Sequence, residues 1–73
     1  MGNKFTWGDA VIVKFDESEN IHAGQFASVC GFRKIDSQEF ANKYSCSIND
    51  WVYTIEFQDG SDIEIAEKYL YKY

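Results

Sequence analysis

The chain has 73 residues, enough for one domain, and we expect residues 1–73 to fold as a single unit. Aromatic residues make up 18% of it and proline is absent, which argues against a disordered or linker-like chain. Twelve acidic and seven basic residues give a formal net charge of -5 at pH 7, which disfavours nucleic acids and anionic membranes as partners because both attract basic surfaces.

Two β-strands are predicted in the first part of the chain. In Asp9–Phe15, apolar residues recur at every second position, and Lys14 marks the opposite face as solvated. The polar residues 16–20 predict a loop. The second strand is Gly24–Arg33, where Gly31 indicates a bulge or a sharp bend of the kind that small barrels need at a corner.

The segment from Lys34 to Asp50 supports two interpretations. Asp36 followed by Glu39 has the spacing of a helix capping box, and Phe40 with Tyr44 is an i,i+4 pair. These features predict a short helical turn within residues 36–44. An extended hairpin tip is the alternative.

The last third of the chain predicts a hairpin and a closing strand. Residues alternate strictly in Trp51–Gln58, and Asp59-Gly60 is a favoured dipeptide of two-residue type I′ turns. The returning strand is Ser61–Ala66. Glu67–Tyr69 predicts a short turn, of 3₁₀ type, and Tyr71–Tyr73 a last short strand.

About five short strands and one tight hairpin predict an all-β fold, a small antiparallel barrel. The order of the signals resembles SH3-like barrels of the Tudor-like and KOW-like group, along the chain outside residues 34–50. Four motifs carry this resemblance: Gly8-Asp9-x-Val11-x-Val13, Gly24-x-x-Ala27-x-Val29, Tyr53-x-Ile55-x-Phe57-x-Asp59-Gly60 and Ile63-x-Ile65-x-x-x-x-Leu70.

Within that group the chain resembles small bacterial immunity proteins of polymorphic toxin systems. The shared features are the short acidic chain and the closing Asp-Gly hairpin followed by an acidic residue and a leucine, here Glu67 and Leu70. The resemblance implies a non-catalytic protein that inhibits a protein partner by binding it. The chain lacks the basic loops of ribosome- and polymerase-binding KOW domains, so RNA binding is not implied.

The aromatic residues exceed what so small a barrel can bury. The predicted core consists of Val11, Val13, Phe15, Ala27, Val29, Tyr53, Ile55, Phe57, Ile63, Ile65 and Leu70. Several aromatics then remain, among them Phe5, Trp7, Phe26, Phe32, Phe40, Tyr44, Tyr69, Tyr71 and Tyr73. They either cover the ends of the barrel or include an exposed patch that anchors a partner.

A sharper variant of the patch hypothesis is an aromatic cage for a methylated lysine or arginine, held by cation–π contacts. Trp7, Phe32 and Tyr53 beside Asp59 are the candidate cage residues.

Acidic residues are concentrated around the predicted hairpin. Glu56 on one strand and Asp62 and Glu64 on the next are expected to point outward and to form one negative face. A basic partner would relieve the repulsion between these carboxylates. The alternative is that charges on an edge strand only prevent sheet-to-sheet aggregation.

Catalysis and metal binding have little support in the sequence. His22, Cys30 and Cys46 have neither the spacing of a zinc site nor a third group that would orient a Cys–His pair. We therefore predict no enzyme activity, no metal and no cofactor. The two cysteines are expected to be reduced thiols in a cytoplasmic protein, and one disulfide between them is the alternative.

The predicted function is a non-catalytic module that binds a basic protein partner, as a stoichiometric inhibitor or immunity-type protein. The alternative is a structural or regulatory subunit of a larger complex or of a homo-oligomer, and nucleic-acid binding ranks below both. The predicted contact residues are Trp7, Glu56, Asp62, Glu64 and Tyr69.

Overall fold

A computed structural model describes residues 3–14 and 23–73 and shows a mostly β domain. Five antiparallel strands are joined by one short helix and one 3₁₀ turn. Their bounds are β1 Ala10–Val13, β2 Phe26–Lys34, α1 Gln38–Lys43, β3 Trp51–Phe57, β4 Asp62–Ala66, the 3₁₀ turn Glu67–Tyr69 and β5 Leu70–Lys72.

The strands form one sheet in the order β4-β3-β2-β1-β5. Every neighbouring pair is antiparallel. The predicted barrel is wrong in its closure, because the edge strands β4 and β5 do not pair within the described residues. The 3₁₀ turn connects the two edge strands, β4 and β5, so the chain itself links the edges and no backbone hydrogen-bond ladder between them is described.

Strand β2 lies at the centre of the sheet and contains the predicted bulge. Its pairing with β3 shifts register between Val29 and Gly31, so Cys30 has no partner residue in the ladder. The strand begins at Phe26, later than predicted, because Gly24 has a φ of 81° and its N–H donates to the Val13 carbonyl in a turn. The predicted end of the first strand, Phe15, lies outside the described residues.

The hairpin between β3 and β4 differs from the predicted two-residue turn. The Phe57 N–H donates to the Ser61 carbonyl at 2.8 Å, so residues 58–60 form a three-residue connection. A type I′ turn needs a positive φ at both central residues, but of the predicted pair Gly60 alone has one, at 89°. The Asp59-Gly60 dipeptide therefore predicted the position of the hairpin correctly, but the connection has three residues and not two.

An inner cluster of apolar side chains lies on one face of the sheet. It contains most of the predicted core, with Ile63 partly buried at its margin. Phe5, predicted as a surplus aromatic, is also buried there. The buried members are Phe5, Val11, Val13, Ala27, Val29, Tyr53, Ile55, Phe57, Ile65 and Leu70.

The hydroxyl of Tyr53 ties the segment before β1 to the 3₁₀ turn. It accepts the Phe5 N–H at 3.1 Å and donates to Glu67 Oε2 at 2.5 Å, and Glu67 Oε2 also accepts the Lys4 N–H at 2.9 Å. Burial, followed by the hydrogen bond to the Glu67 carboxylate, raises the pKa of Tyr53 from its ordinary 10.0 to about 12. The neutral phenol is thus the form that the fold stabilises.

Helix α1 covers part of the outer face, the side of β2, β3 and β4 opposite the inner cluster. Its Ala41 packs against Ile35 and Val52 in a second buried cluster. Ser37 is the N-cap and accepts the Phe40 N–H at 3.3 Å, so the helical interpretation of residues 36–44 is confirmed with a different cap from the predicted Asp36. Val52, which is absent from the predicted core, is buried under this helix.

Replacing the Tyr53 hydroxyl is expected to weaken the fold. Tyr53→Phe leaves the buried Phe5 N–H without its acceptor, and we expect the free energy of unfolding to fall by about 1–3 kcal/mol in urea denaturation. Tyr71→Phe, at an exposed position, is the matched control and should change little.

The same residue predicts a loss of stability in alkali. Because the folded pKa of about 12 exceeds the unfolded value near 10, this contribution is intact below pH 10 and disappears as the pH rises towards 12. Denaturation midpoints measured across this range should fall less steeply in Tyr53→Phe than in the parent. Equal slopes would contradict the role assigned to the hydroxyl.

Two glycines, Gly31 in β2 and Gly60 in the hairpin connection, should respond differently to alanine. At Gly60 the positive φ strains any side chain, so Gly60→Ala should cost about 1–2 kcal/mol. At Gly31 an added Cβ would meet the Thr54 side chain at 3.8 Å, an ordinary contact, and Gly31→Ala should be neutral or stabilising by up to about 1 kcal/mol. Thermal denaturation of both variants tests this, and the reverse order would be inconsistent with the two backbone conformations.

Candidate functional site

Two carboxylates lie side by side on the uncovered part of the outer face. Glu56 on β3 is the register partner of Asp62 on β4, and Ser28 on β2 completes the row. All three residues are exposed. Neither carboxylate has a hydrogen bond or an ion pair to another residue that the structure describes, and like charges directly opposite each other on neighbouring strands are destabilising.

Glu64 shares this face but is neutralised within the protein. Its Oε2 lies 3.6 Å from a guanidinium nitrogen of Arg33, and its Oε1 accepts the Tyr44 hydroxyl at 2.7 Å. Arg33 also donates to the Tyr44 oxygen at 3.0 Å and lies over the Phe40 ring at 4.8 Å. Glu64 therefore helps hold α1 against the sheet, and of the predicted acidic face Glu56 and Asp62 remain available.

Trp7 belongs to a row of aromatic rings on another side of the molecule. Its side chain is 71% exposed and meets Phe32 edge-on at 6.4 Å between ring centroids. Phe32 in turn contacts Trp51 at 5.7 Å and Tyr53 at 6.0 Å. The row runs from solvent into the inner cluster.

Tyr69 is half-buried against the inner cluster. Its hydroxyl approaches the Ser45 carbonyl at 3.5 Å, and its own carbonyl accepts the Lys14 N–H at 2.8 Å. In the described residues, neither Trp7 nor Tyr69 contacts the carboxylates of the outer face. The five predicted contact residues thus divide between surfaces and do not meet in one patch.

The hypothesis of an aromatic cage does not fit this geometry. Phe32 does contact both Trp7 and Tyr53, but Tyr53 is fully buried and offers no ring face to a ligand. Asp59 lies in the hairpin connection beyond the far end of β3, away from these rings. A methylated cation would therefore not be surrounded by the three rings and would not contact the Asp59 carboxylate.

A cleft lined by lysines was missed by sequence reasoning. It has a volume of about 490 Å³, and its lining residues are Lys4, Lys14, Lys34, Asn49, Asp50, Trp51, Glu67 and Lys68. The lysines are far apart in sequence, so no run of basic residues predicts the cleft. They meet because the segment before β1, the ends of β1 and β2, the start of β3 and the 3₁₀ turn converge at one end of the sheet.

Both cysteines are free thiols in different surroundings. Cys30 is exposed at the bulge, and its Sγ lies 3.5 Å from the Thr54 carbonyl oxygen. Cys46 is half-buried beside the second cluster. Burial, and next the Asp50 carboxylate, raise the pKa of the Cys46 thiol, whereas Lys68 opposes them. A raised pKa is the reverse of what a nucleophilic cysteine requires.

The remaining chemical candidates yield no site within residues 3–14 and 23–73. No group of three or more potential metal ligands is present there, and no helix is long and apolar enough to cross a membrane. His22, the one histidine, lies outside these ranges.

Comparison with known proteins does not extend this picture. No family model matches the chain, and no curated protein and no solved structure matches it significantly.

The two thiols are expected to differ in reactivity. Because Cys46 is half-buried with a raised pKa, iodoacetamide at pH 8 should alkylate exposed Cys30 several times faster. Peptide mass spectrometry over a time course measures both rates, and denatured protein provides the control in which they converge. Equal rates in the folded protein would contradict the burial of Cys46.

Proposed function

We propose that this domain is a non-catalytic protein-binding module that receives a basic partner on its outer face, at Glu56 and Asp62. The observation that carries the proposal is the direct cross-strand pairing of two exposed carboxylates without a cation among the described residues. Stability alone disfavours such a pair, since like charges at this separation repel. A partner's lysine or arginine placed between them would turn that cost into a favourable contact.

The surroundings of the pair support a docking role. Helix α1 packs over Val52, near the other end of β3, and leaves Glu56 and Asp62 uncovered. Glu64, one row closer to the helix, is already matched by Arg33. On the strands themselves, the unmatched carboxylates that the structure describes on the outer face therefore lie at the Glu56–Asp62 end, and such a local concentration of charge orients an approaching basic surface.

The most concrete form of this function is a stoichiometric inhibitor of the immunity type, which blocks a basic enzyme or toxin by covering it. The sheet order and the 3₁₀ turn before β5 are compatible with an SH3-like assignment, which we retain as part of the proposal. The formal net charge of -5 would accelerate encounter with a basic target.

A structural or homo-oligomeric role is the second candidate, because β4 and β5 both leave an outer edge unpaired within the described sheet. An unpaired edge can add a strand from another chain. Light scattering coupled to size-exclusion chromatography separates the two: a monomer at all concentrations removes self-association, and a concentration-dependent dimer favours it.

Removal of the two carboxylates should separate stability from binding. In Glu56→Gln/Asp62→Asn the cross-strand repulsion disappears, so the domain should gain up to about 1 kcal/mol of stability while it loses its basic partner. The measurement is an affinity pull-down from native lysate at low and at high salt, with the bound protein identified by mass spectrometry and its affinity then determined by calorimetry.

Asp36→Asn/Glu39→Gln is the matched control, since it makes the same change in net charge at exposed positions near the start of α1. It should retain the partner with only a small loss in association rate. If both double variants weaken binding equally, net charge and not the Glu56–Asp62 pair selects the partner, and the proposed site is wrong.

A further inference from the structure

We infer that the lysine cleft binds a mononucleotide, with its phosphate among the lysine ammonium groups and its base against Trp51. This inference is independent of the acidic outer face and goes beyond the proposed function. The cleft volume of about 490 Å³ falls within the range typical of small-molecule sites.

The distribution of charge is the first argument. The chain has seven basic residues against twelve acidic ones, yet four of the seven line this cleft. Arg33, by contrast, lies on the outer face and is matched by Glu64. Four lysines against the carboxylates of Asp50 and Glu67 leave an excess of positive charge at this concavity, in a protein that is negative overall, and this local field attracts an anion.

The carboxylates of the cleft are already engaged by other groups. Glu67 accepts the Tyr53 hydroxyl and the Lys4 backbone N–H through Oε2. Asp50 Oδ2 accepts the Ser47 N–H at 2.9 Å. Both acidic side chains therefore serve local structure, and the lysine ammonium groups form no ion pair with a described carboxylate.

Three of the lysines instead lie over aromatic rings. The Nζ atoms of Lys4, Lys14 and Lys68 are 5.5, 5.8 and 5.2 Å from the ring centroids of Phe5, Tyr71 and Tyr69. Such contacts leave the ammonium hydrogens available, and charge-assisted hydrogen bonds to phosphate oxygens are among the strong hydrogen bonds of proteins. The ammonium groups can therefore be recruited by a phosphate at small cost.

Trp51 provides the part of the site that recognises a ring. It is half-buried, it is held edge-on by Phe32 at 5.7 Å, and it is the register partner of Lys34. A fixed indole beside ammonium groups matches the joined base and phosphate of a nucleotide, because bases stack on aromatic side chains whatever their sequence. A longer polyanion would extend beyond the cleft and meet the repulsion of the net negative charge.

The test uses adenosine monophosphate as the probe and tryptophan fluorescence with calorimetry as readouts. The chain has two tryptophans, so Trp7→Phe leaves Trp51 as the reporter. We expect adenosine monophosphate to quench Trp51 and to bind at least about tenfold more tightly than adenosine or pyrophosphate alone. If pyrophosphate binds as tightly as adenosine monophosphate, the cleft recognises only an anion. If adenosine binds as tightly, the cleft recognises only a ring. Either result overturns the inference, and so does the absence of adenosine monophosphate binding.

Lysine variants locate the site. Lys34→Gln/Lys68→Gln alters two exposed lining residues and should weaken adenosine monophosphate binding by about tenfold, whereas Lys43→Gln/Lys72→Gln makes the same charge change elsewhere and should alter it by less than about twofold. Circular dichroism verifies that both variants fold. Equal losses would overturn the inference, and so would much tighter binding of single-stranded oligothymidylate than of the mononucleotide.

Discussion

The hydrogen bond between the buried Tyr53 hydroxyl and Glu67 is the constraint on which the rest of the structure depends. An open sheet of five strands has two free edges, and something other than a ladder must hold its ends around one core. Here the Tyr53 hydroxyl joins β3 to the 3₁₀ turn and, through the Phe5 N–H, to the segment before β1. The same contacts bring Phe5 into the core. They also bring the segment of Lys4 close to the 3₁₀ turn that contains Lys68, so both lysines line the cleft.

The two faces of the sheet acquire different properties because the helix is short. Six residues of α1 cover the part of the outer face around Val52 and leave the rows beyond it in solvent. Arg33 and Glu64 form the boundary, where a cation and an anion neutralise each other. Beyond that boundary the carboxylates of Glu56 and Asp62 remain unmatched by any described cation, so the length of the helix determines which strand residues of the outer face stay exposed.

Local sequence patterns predicted much of this fold, and long-range contacts account for what they missed. Strict alternation in β3 placed Tyr53 and Ile55 correctly, because the pleat alone determines which face a residue takes. It could not reveal that Val52 is buried too, since this depends on a helix that arrives from elsewhere in the chain. The lysine cleft is the extreme case: its residues meet only when the strands are arranged, and net charge, summed over the whole chain, conceals it.

The net charge of the chain favours a basic partner, whereas the local charge of the lysine cleft favours an anion. Both can bind because the acidic pair and the cleft lie at opposite ends of β3. Trp51 and Glu56 stand five positions apart near opposite ends of β3, roughly 17 Å at the rise of a β-strand. At physiological ionic strength the Debye length is about 8 Å, so exposed charges at the two ends are largely screened from each other. A basic protein on the outer face and a small anion in the lysine cleft would accordingly meet fields of opposite sign on one domain, and neither would have to displace the other.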